Sequence, residues 1–487
     1  MSKAILFVVV LFLVPMITMA QESTGEDSIV SQVVNAYGGE KLLQMQAFRL
    51  VDNYKAFRYG QSHRPDSVDM LSNRAATTVD LTRNRIDFRW IREFQDHFVA
   101  QHQMFNGSLG YRIEHASNTW QLSDNISFSR ADRFHTLFLD ARLAQLMSQA
   151  NATISVKETI LHRGETLKVV VLEPAGLPKL TLYINAQNGL IKKMTRPSWR
   201  PDMGFEYQYS NHTAQQGITY AKDYYVTRGG NPFYVSTQRQ VDWGLDASSE
   251  QFRQYFRVPK HYVQGGKSID FSSMTVTALS TNLYLVGKEW GFSLFYEADD
   301  HFVATGGYEG LTDRLNALNQ FIGKNKPLKY QIITHHHTDH LSGMPEVAEL
   351  GAKFVTVAAN IDSIQEQLEQ PLPDERFIIV DKQLSLLDNK IQILDFPNGH
   401  ANHNLLSYFP DEKVIFSADL FISRQKTGTP EGYHGLIDFK QAYEAAGFKP
   451  TSFAASHSGR VLTLEDLNDS ISKIQKQVCP PDWTICP

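Results

Sequence analysis

Residues 334–340 read Thr-His-His-His-Thr-Asp-His, and that short stretch crowds several cation-binding side chains into one place. Imidazole nitrogen and carboxylate oxygen are the donors that zinc and similar divalent ions accept. His335 and His337 are two residues apart, so on an extended segment their rings project to the same side. Asp339 and His340 follow where the chain is expected to turn into a helix over residues 342–350. A polar loop can carry histidines to no chemical purpose. Histidine is sparse elsewhere, however: of the chain's 17, eight fall between His335 and His457. His-x-His-x-Asp-His directly behind an apolar run is specific for a metal site, and the chemistry open to such a site is hydrolytic, with a bound ion acidifying water and polarising an electrophile.

The elements that must position this cluster are legible around it. Tyr330-Gln331-Ile332-Ile333 has the composition of a buried strand and runs straight into the histidines. Upstream, residues 276–280 and 282–286 read as strands. Residues 311–322 read as a helix, with Leu315, Leu318 and Ile322 on one face. Strand, strand, helix, strand indicates a layered α/β domain, which we place over residues 271–470. The chain before it has another texture. Val30, Val33, Val34 and Tyr37 stand at helical spacing and stop at Gly38-Gly39. Short alternating runs follow: residues 86–90, residues 180–184 with 190–191 about an Asn188-Gly189 hairpin turn, residues 207–210 and residues 224–227. One apolar helix around residues 134–147 interrupts them. Residues 21–262 therefore read as a β-rich domain without a catalytic constellation, and Gly265-Gly266-Lys267-Ser268 as the linker.

With those residues in view, roughly Thr275 to Leu464 resembles the metallo-β-lactamase superfamily and, within it, the hydrolases similar to glyoxalase II. The resemblance implies an αββα sandwich and three further ligands in order. Gly399-His400-Ala401-Asn402-His403-Asn404 nominates His400, with His403 the competitor in the same loop. Ile415-Phe416-Ser417-Ala418-Asp419-Leu420-Phe421 nominates Asp419, whose alternative role is a helix N-cap. Ala454-Ala455-Ser456-His457-Ser458-Gly459 nominates His457. The family arrangement then implies one metal on His335, His337 and His400, a second on Asp339, His340 and His457, and Asp419 bridging them. It implies two zinc ions, with iron or manganese as alternatives. Two divalent ions close together lower the pKa of a bridging water enough to give hydroxide at neutral pH, so no serine or cysteine nucleophile is needed. Asp339 is also the candidate to take or orient a proton. Asn404, with Tyr433 and His434, is a candidate for a substrate-facing role, and His336 for packing behind the ligands.

Two departures from the family pattern stand out, of which the second bears on substrate. Ala304 stands where the family often has an acidic residue, and neither cysteine lies in this domain. A carboxylate at 419 points toward thioester, lactone, ester or phosphodiester hydrolysis. The readings kept beside this one are a mononuclear iron enzyme acting on a sulfur substrate, a β-lactamase, and a lipid- or lipoprotein-binding protein with a vestigial metal domain. The last rests on the β-rich half. Residues 36–42 (Ala-Tyr-Gly-Gly-Glu-Lys-Leu) and the hairpin 182–191 resemble the curved open barrel of periplasmic lipoprotein-carrier and lipoprotein-sorting domains, which implies a lipid-like ligand; an accessory domain with no ligand of its own stands equally open.

Bulk properties agree with an exported two-domain protein. At 487 residues the chain exceeds what one core usually supports. A formal charge of -5, from 47 basic and 52 acidic residues, gives no nucleic-acid footprint. Met1-Ser2-Lys3, an apolar run over residues 4–16 and Thr18-Met19-Ala20 have the layout of a secretory signal peptide over residues 1–20. No later stretch is apolar enough to span a bilayer, so a periplasmic or secreted location is expected. Cys479 and Cys486, the chain's 2 cysteines, read as a terminal disulfide in a tail over residues 471–487. The expected partner is a small-molecule or lipid-like substrate; nothing in the sequence fixes oligomeric state.

Overall fold

The computed structural model describes residues 25–94, 97–115, 117–132, 136–198, 203–265, 272–289, 291–423, 425–474, 479–480 and 483–486. The expected signal peptide and the Gly266-Lys267-Ser268 part of the expected linker lie outside the described residues.

The β-rich part forms one 14-stranded sheet. Its centre is the antiparallel pairing of Ala47–Arg58 with Asn231–Asp242 on one side and Asp69–Asp80 on the other. Its edges are Thr153–His162 and the two-residue Val263–Gln264, the latter running parallel to Thr119–Leu122. Helix Asp140–Met147 is buried along all 8 of its residues, and a helix with no exposed side has to be enclosed. It packs among Phe48, Tyr207, Tyr209 and Tyr224 of the sheet and Tyr37, just past helix Gly25–Ala36. Two of its polar side chains find partners within the domain. Asp140 accepts from the Tyr37 hydroxyl at 3.0 Å and from the Ala221 amide at 2.9 Å, and Gln145 donates to the Leu42 and Met45 carbonyls. One face of the sheet is thus filled by the chain itself.

From Thr275 onward the fold is a sandwich of two sheets. Seven strands from Thr275–Ala278 to Phe377–Ile379 make one, and six from Gln383–Leu386 to Ser458–Thr463 make the other. Leu294, Val303, Ile332 and Val355 of the first meet Ile391, Leu405, Phe416 and Ala454 of the second in one core. Helices Leu311–Ile322 and Met344–Glu349 cover the outer face of the first sheet. Gly435–Ala445 and Leu464–Ser472 cover that of the second. The order helix, sheet, sheet, helix follows from apolar residues on both faces of the inner strands: Leu283–Lys288, for example, is buried at five successive positions, which needs cover on both sides. Among the described residues no helix is long and apolar enough to cross a membrane.

Two segments tie the halves together. The loop of residues 59–68, between Ala47–Arg58 and Asp69–Asp80, reaches the turn that carries the histidines: the Thr338 amide donates to the Gly60 carbonyl at 2.9 Å. At the other end of the chain, Cys479 and Cys486 are joined as a disulfide with Cα atoms 6.0 Å apart. Trp483 and Ile485, in the loop it closes, bury themselves against Ala76 and Ile91 of the β-rich domain.

Candidate metal centre

Leu328–Ile332 ends in the buried core of the first sheet, and the chain leaves it through Thr334 into His335 and His337 before the short helix Thr338–Leu341. The second sheet contributes from its own strand ends. Val414–Phe416 leads to Asp419 and Ser452–Ala455 to His457. Asp419 is aimed by a local contortion: Ala418 takes φ 49°, a left-handed conformation that non-glycine residues adopt only under constraint, and its carbonyl accepts from the Ser456 amide at 3.0 Å.

These strand ends bring two groups together. His335, His337, His400 and Asp419 form one, and Asp339, His340 and His457 the other, each with its donor atoms within 4.8 Å of one another. In the first, His335 Nε2 lies 3.1 Å from His337 Nδ1 and 3.1 Å from His400 Nε2. Asp419 reaches both groups: Oδ2 is 3.3 Å from His400 Nε2 and 3.5 Å from His457 Nε2, and Oδ1 is 3.0 Å from His340 Nε2. Asp339 Oδ2 lies 3.4 Å from His457 Nε2.

The donor set fits divalent cations. His337 Nε2 donates to the Ser62 carbonyl at 3.0 Å, so in a neutral ring its Nδ1 is a bare lone pair. That lone pair and two further imidazole nitrogens converge at distances too short for anything but a proton or a cation between them. Burial holds His335 well below the ordinary imidazole range, reinforced by His340 and His337. Burial likewise pushes His337 down to about 2, with His400 and His340 adding to it. Both rings are therefore neutral, the form that binds metal. The carboxylate side demands positive charge. Burial alone would raise Asp419, but His340 and His457 outweigh it and hold the group well below the usual range. Burial alone would lower His457; Asp419 and Asp339 push it up to about 10 instead.

Of the residues expected from sequence, His335, His337, Asp339, His340, His400, Asp419 and His457 all fall in these two groups. His403 does not. Its Nδ1 pairs with Asp395 Oδ2 at 2.7 Å. His336 turns its Nε2 to the Ser62 carbonyl at 2.9 Å. Asn404 is wholly buried and neither end of its amide has a hydrogen-bond partner. Tyr433 donates to the Leu420 carbonyl at 2.5 Å, and His434 is exposed before helix Gly435–Ala445. Sequence reasoning missed Tyr308. Its hydroxyl lies 3.0 Å from His340 Nε2 and 2.7 Å from His457 Nε2, and burial, then Asp419 and Asp339, keeps it un-ionised. Gln61 was missed as well; its side-chain amide donates to Asp339 Oδ1 at 2.7 Å.

Comparison with known proteins agrees with this architecture. The family model of the metallo-beta-lactamase superfamily matches residues 304–487. The hydroxyacylglutathione hydrolase of Aliivibrio fischeri is 28% identical over 152 residues, which is 30% of this chain and 57% of that protein. Its counterpart in Pelagibacter ubique is 30% identical over 102 residues, 20% of this chain and 39% of that one. The chain thus spans 57% and 39% of the length of these two curated relatives. Among solved structures, a metallo-beta-lactamase from Pontibacter korlensis aligns over 42% of this chain and 100% of its own, with 19% identity and a TM-score of 0.34. Residues 304–487, the C-terminal part of this chain, thus match the metallo-beta-lactamase superfamily.

Proposed function

We propose that this protein is an exported, metal-dependent hydrolase that holds two zinc ions and cleaves a thioester, ester or lactone. The observation that carries the reading is the joining of two ligand groups by one carboxylate, Asp419, which touches members of both. His335, His337 and His400 are the ligands of one ion, Asp339, His340 and His457 those of the other, and Asp419 is shared. When bound, a divalent pair supplies nucleophile activation and carbonyl polarisation at neutral pH. The chain's own residues supply the rest. Asp339, with its side chain 40% exposed, is the carboxylate that can exchange a proton with solvent. Tyr308 offers an un-ionised hydroxyl inside the second group. The deep burial of His335, His337 and His340 keeps bulk water from competing for their nitrogens. Thioesters lead the substrate classes because the curated relatives are named as acylglutathione hydrolases and because a carboxylate occupies position 419. Export is supported by the leader-like start of the chain and by the disulfide.

Metal analysis of the purified protein is expected to give close to two zinc per chain, with activity on a panel of thioesters, lactones, esters and β-lactams strongest among acyl thioesters. One iron per chain would replace this with the mononuclear reading. Intact mass is expected to show a chain beginning near Gln21 that gains two hydrogens on reduction; a chain starting at Met1 with free thiols would overturn export.

A further inference from the structure

The loop of residues 59–68 belongs to the β-rich domain by chain and by sheet, yet its polar atoms end on the metal-site turns of the other domain. The Asn402 amide donates to the His63 carbonyl at 2.8 Å, and His63 Nε2 donates to the Asn398 carbonyl at 3.0 Å. Between those anchors, the Ser62 carbonyl accepts from His337 Nε2 and His336 Nε2, and Gln61 donates to Asp339. The far end of the Gln61 amide accepts from Arg58 at 3.4 Å, which fixes the direction in which the NH2 points. Ser62 is 1% exposed and its hydroxyl is tied back to the Arg58 carbonyl at 2.6 Å. Gly60 permits the close approach. It has φ +64°, and a Cβ there would stand 2.3 Å from the Thr338 methyl.

A ligating imidazole needs its second ring nitrogen pinned, because that bond sets the tautomer and the ring angle; a ligating carboxylate is steadied in the same way. Thr334 Oγ1 does this inside the metal domain for His335 at 3.2 Å and His340 at 3.3 Å. For His337 the pin is the Ser62 carbonyl, and for Asp339 it is the Gln61 amide. One residue in each ligand group is thus oriented by two adjacent residues of the other domain.

Building on the metal-site reading above, we infer that Gln61 and the Ser62 carbonyl are positioning elements of the metal centre, so that cation binding and docking of the 59–68 loop form a single linked equilibrium. Linkage is reciprocal: a loop that raises cation affinity must itself be held more tightly once the cation is bound.

The test uses the full chain, stripped of metal and titrated with zinc against a chelating indicator, in the wild type, Gln61→Met (equal length, no donor) and Gly60→Ala (a methyl driven into Thr338). Gln61→Met is expected to weaken one zinc equivalent by about 10- to 100-fold and leave the other within about threefold. Gly60→Ala is expected to weaken both. Independently of any variant, zinc added to the wild type should slow amide hydrogen exchange in residues 59–68 several-fold. Equal affinities in all three proteins, with exchange in the loop indifferent to zinc, would overturn the inference while leaving the metal centre standing. A wild type that takes up no zinc would overturn the metal reading itself.

Discussion

Asp419 and His403 are both candidate ligands by residue type, and their surroundings separate them. Asp419 lies within 3.5 Å of His340, His400 and His457, whereas His403 meets Asp395 outside both groups. In the proposed two-metal site the negative charge of Asp419 would offset the repulsion between two divalent ions, which no neutral ligand can do. Asp419→Ala is therefore expected to lose second-metal occupancy and to cut turnover by roughly three orders of magnitude or more, in line with loss of metal-activated hydroxide, while His403→Ala keeps both metals. Metal stoichiometry and turnover, measured side by side, decide it; an Asp419→Ala protein with two metals and normal rate would remove the bridging role. The candidate ligands were legible because each sits in a short motif beside a strand end. Tyr308 was not, because a lone tyrosine after Gly306-Gly307 carries no pattern and gains meaning only when Arg314 grips the Tyr308 and Glu309 carbonyls and holds that turn against His340 and His457.

At the level of elements, long periodic segments were read well and their junctions poorly. Leu311–Ile322 matches the helix expected from Leu315, Leu318 and Ile322. The helix expected over residues 342–350 is present as Met344–Glu349, but a separate short helix, Thr338–Leu341, precedes it. The break has a cause in space that sequence does not display. Gly343 lies against the Tyr308 turn, its amide bonded to the Gly307 carbonyl at 2.8 Å, and Pro345 opens the next helix where a missing N–H costs nothing. A Cβ on Gly343 would come within 2.3 Å of the Tyr308 carbonyl oxygen, and backbone cannot step aside as a side chain can. Gly343→Ala is thus expected to destabilise the metal domain by about 1–3 kcal/mol, read from urea unfolding, and to lower metal retention because Tyr308 and His340 are displaced together. An unchanged midpoint would mean that the Gly307–Tyr308 turn is free to move. The β-rich half gave up its strands through alternation. Its closure around Asp140–Met147 was invisible, because enclosure depends on pairings between strands far apart in the chain.

For the molecule as a whole, the contact between domains carries a pH signature. Glu114, at the end of strand Gly110–Glu114, is pushed up to about 7, first by burial and then by the charge of Glu431 in the metal domain. A carboxyl raised on folding holds its proton in the native state where the unfolded chain has released it. Stability from this group is therefore intact below the unfolded value of 4.5 and is lost as pH climbs to about 7. Glu114→Gln should leave the melting temperature unchanged at pH 4 and raise it by about 2–4 °C at pH 8. A rise of equal size at both pH values would show that the gain comes from packing and not from charge.

The pairing of Trp483 and Ile485 with Ala76 and Ile91 also sets a timetable. The β-rich domain leaves the ribosome early, but the apolar spot on its sheet stays wet until residues 479–486 have been made and have folded back. A chain that stops short of Cys479, through a premature stop or through trimming, would retain every histidine of the metal centre and still display that spot. Exposed apolar surface is what chaperones and proteases recognise, so a truncation before Cys479 is expected to be cleared faster in the cell than a chain that carries Trp483 and Ile485.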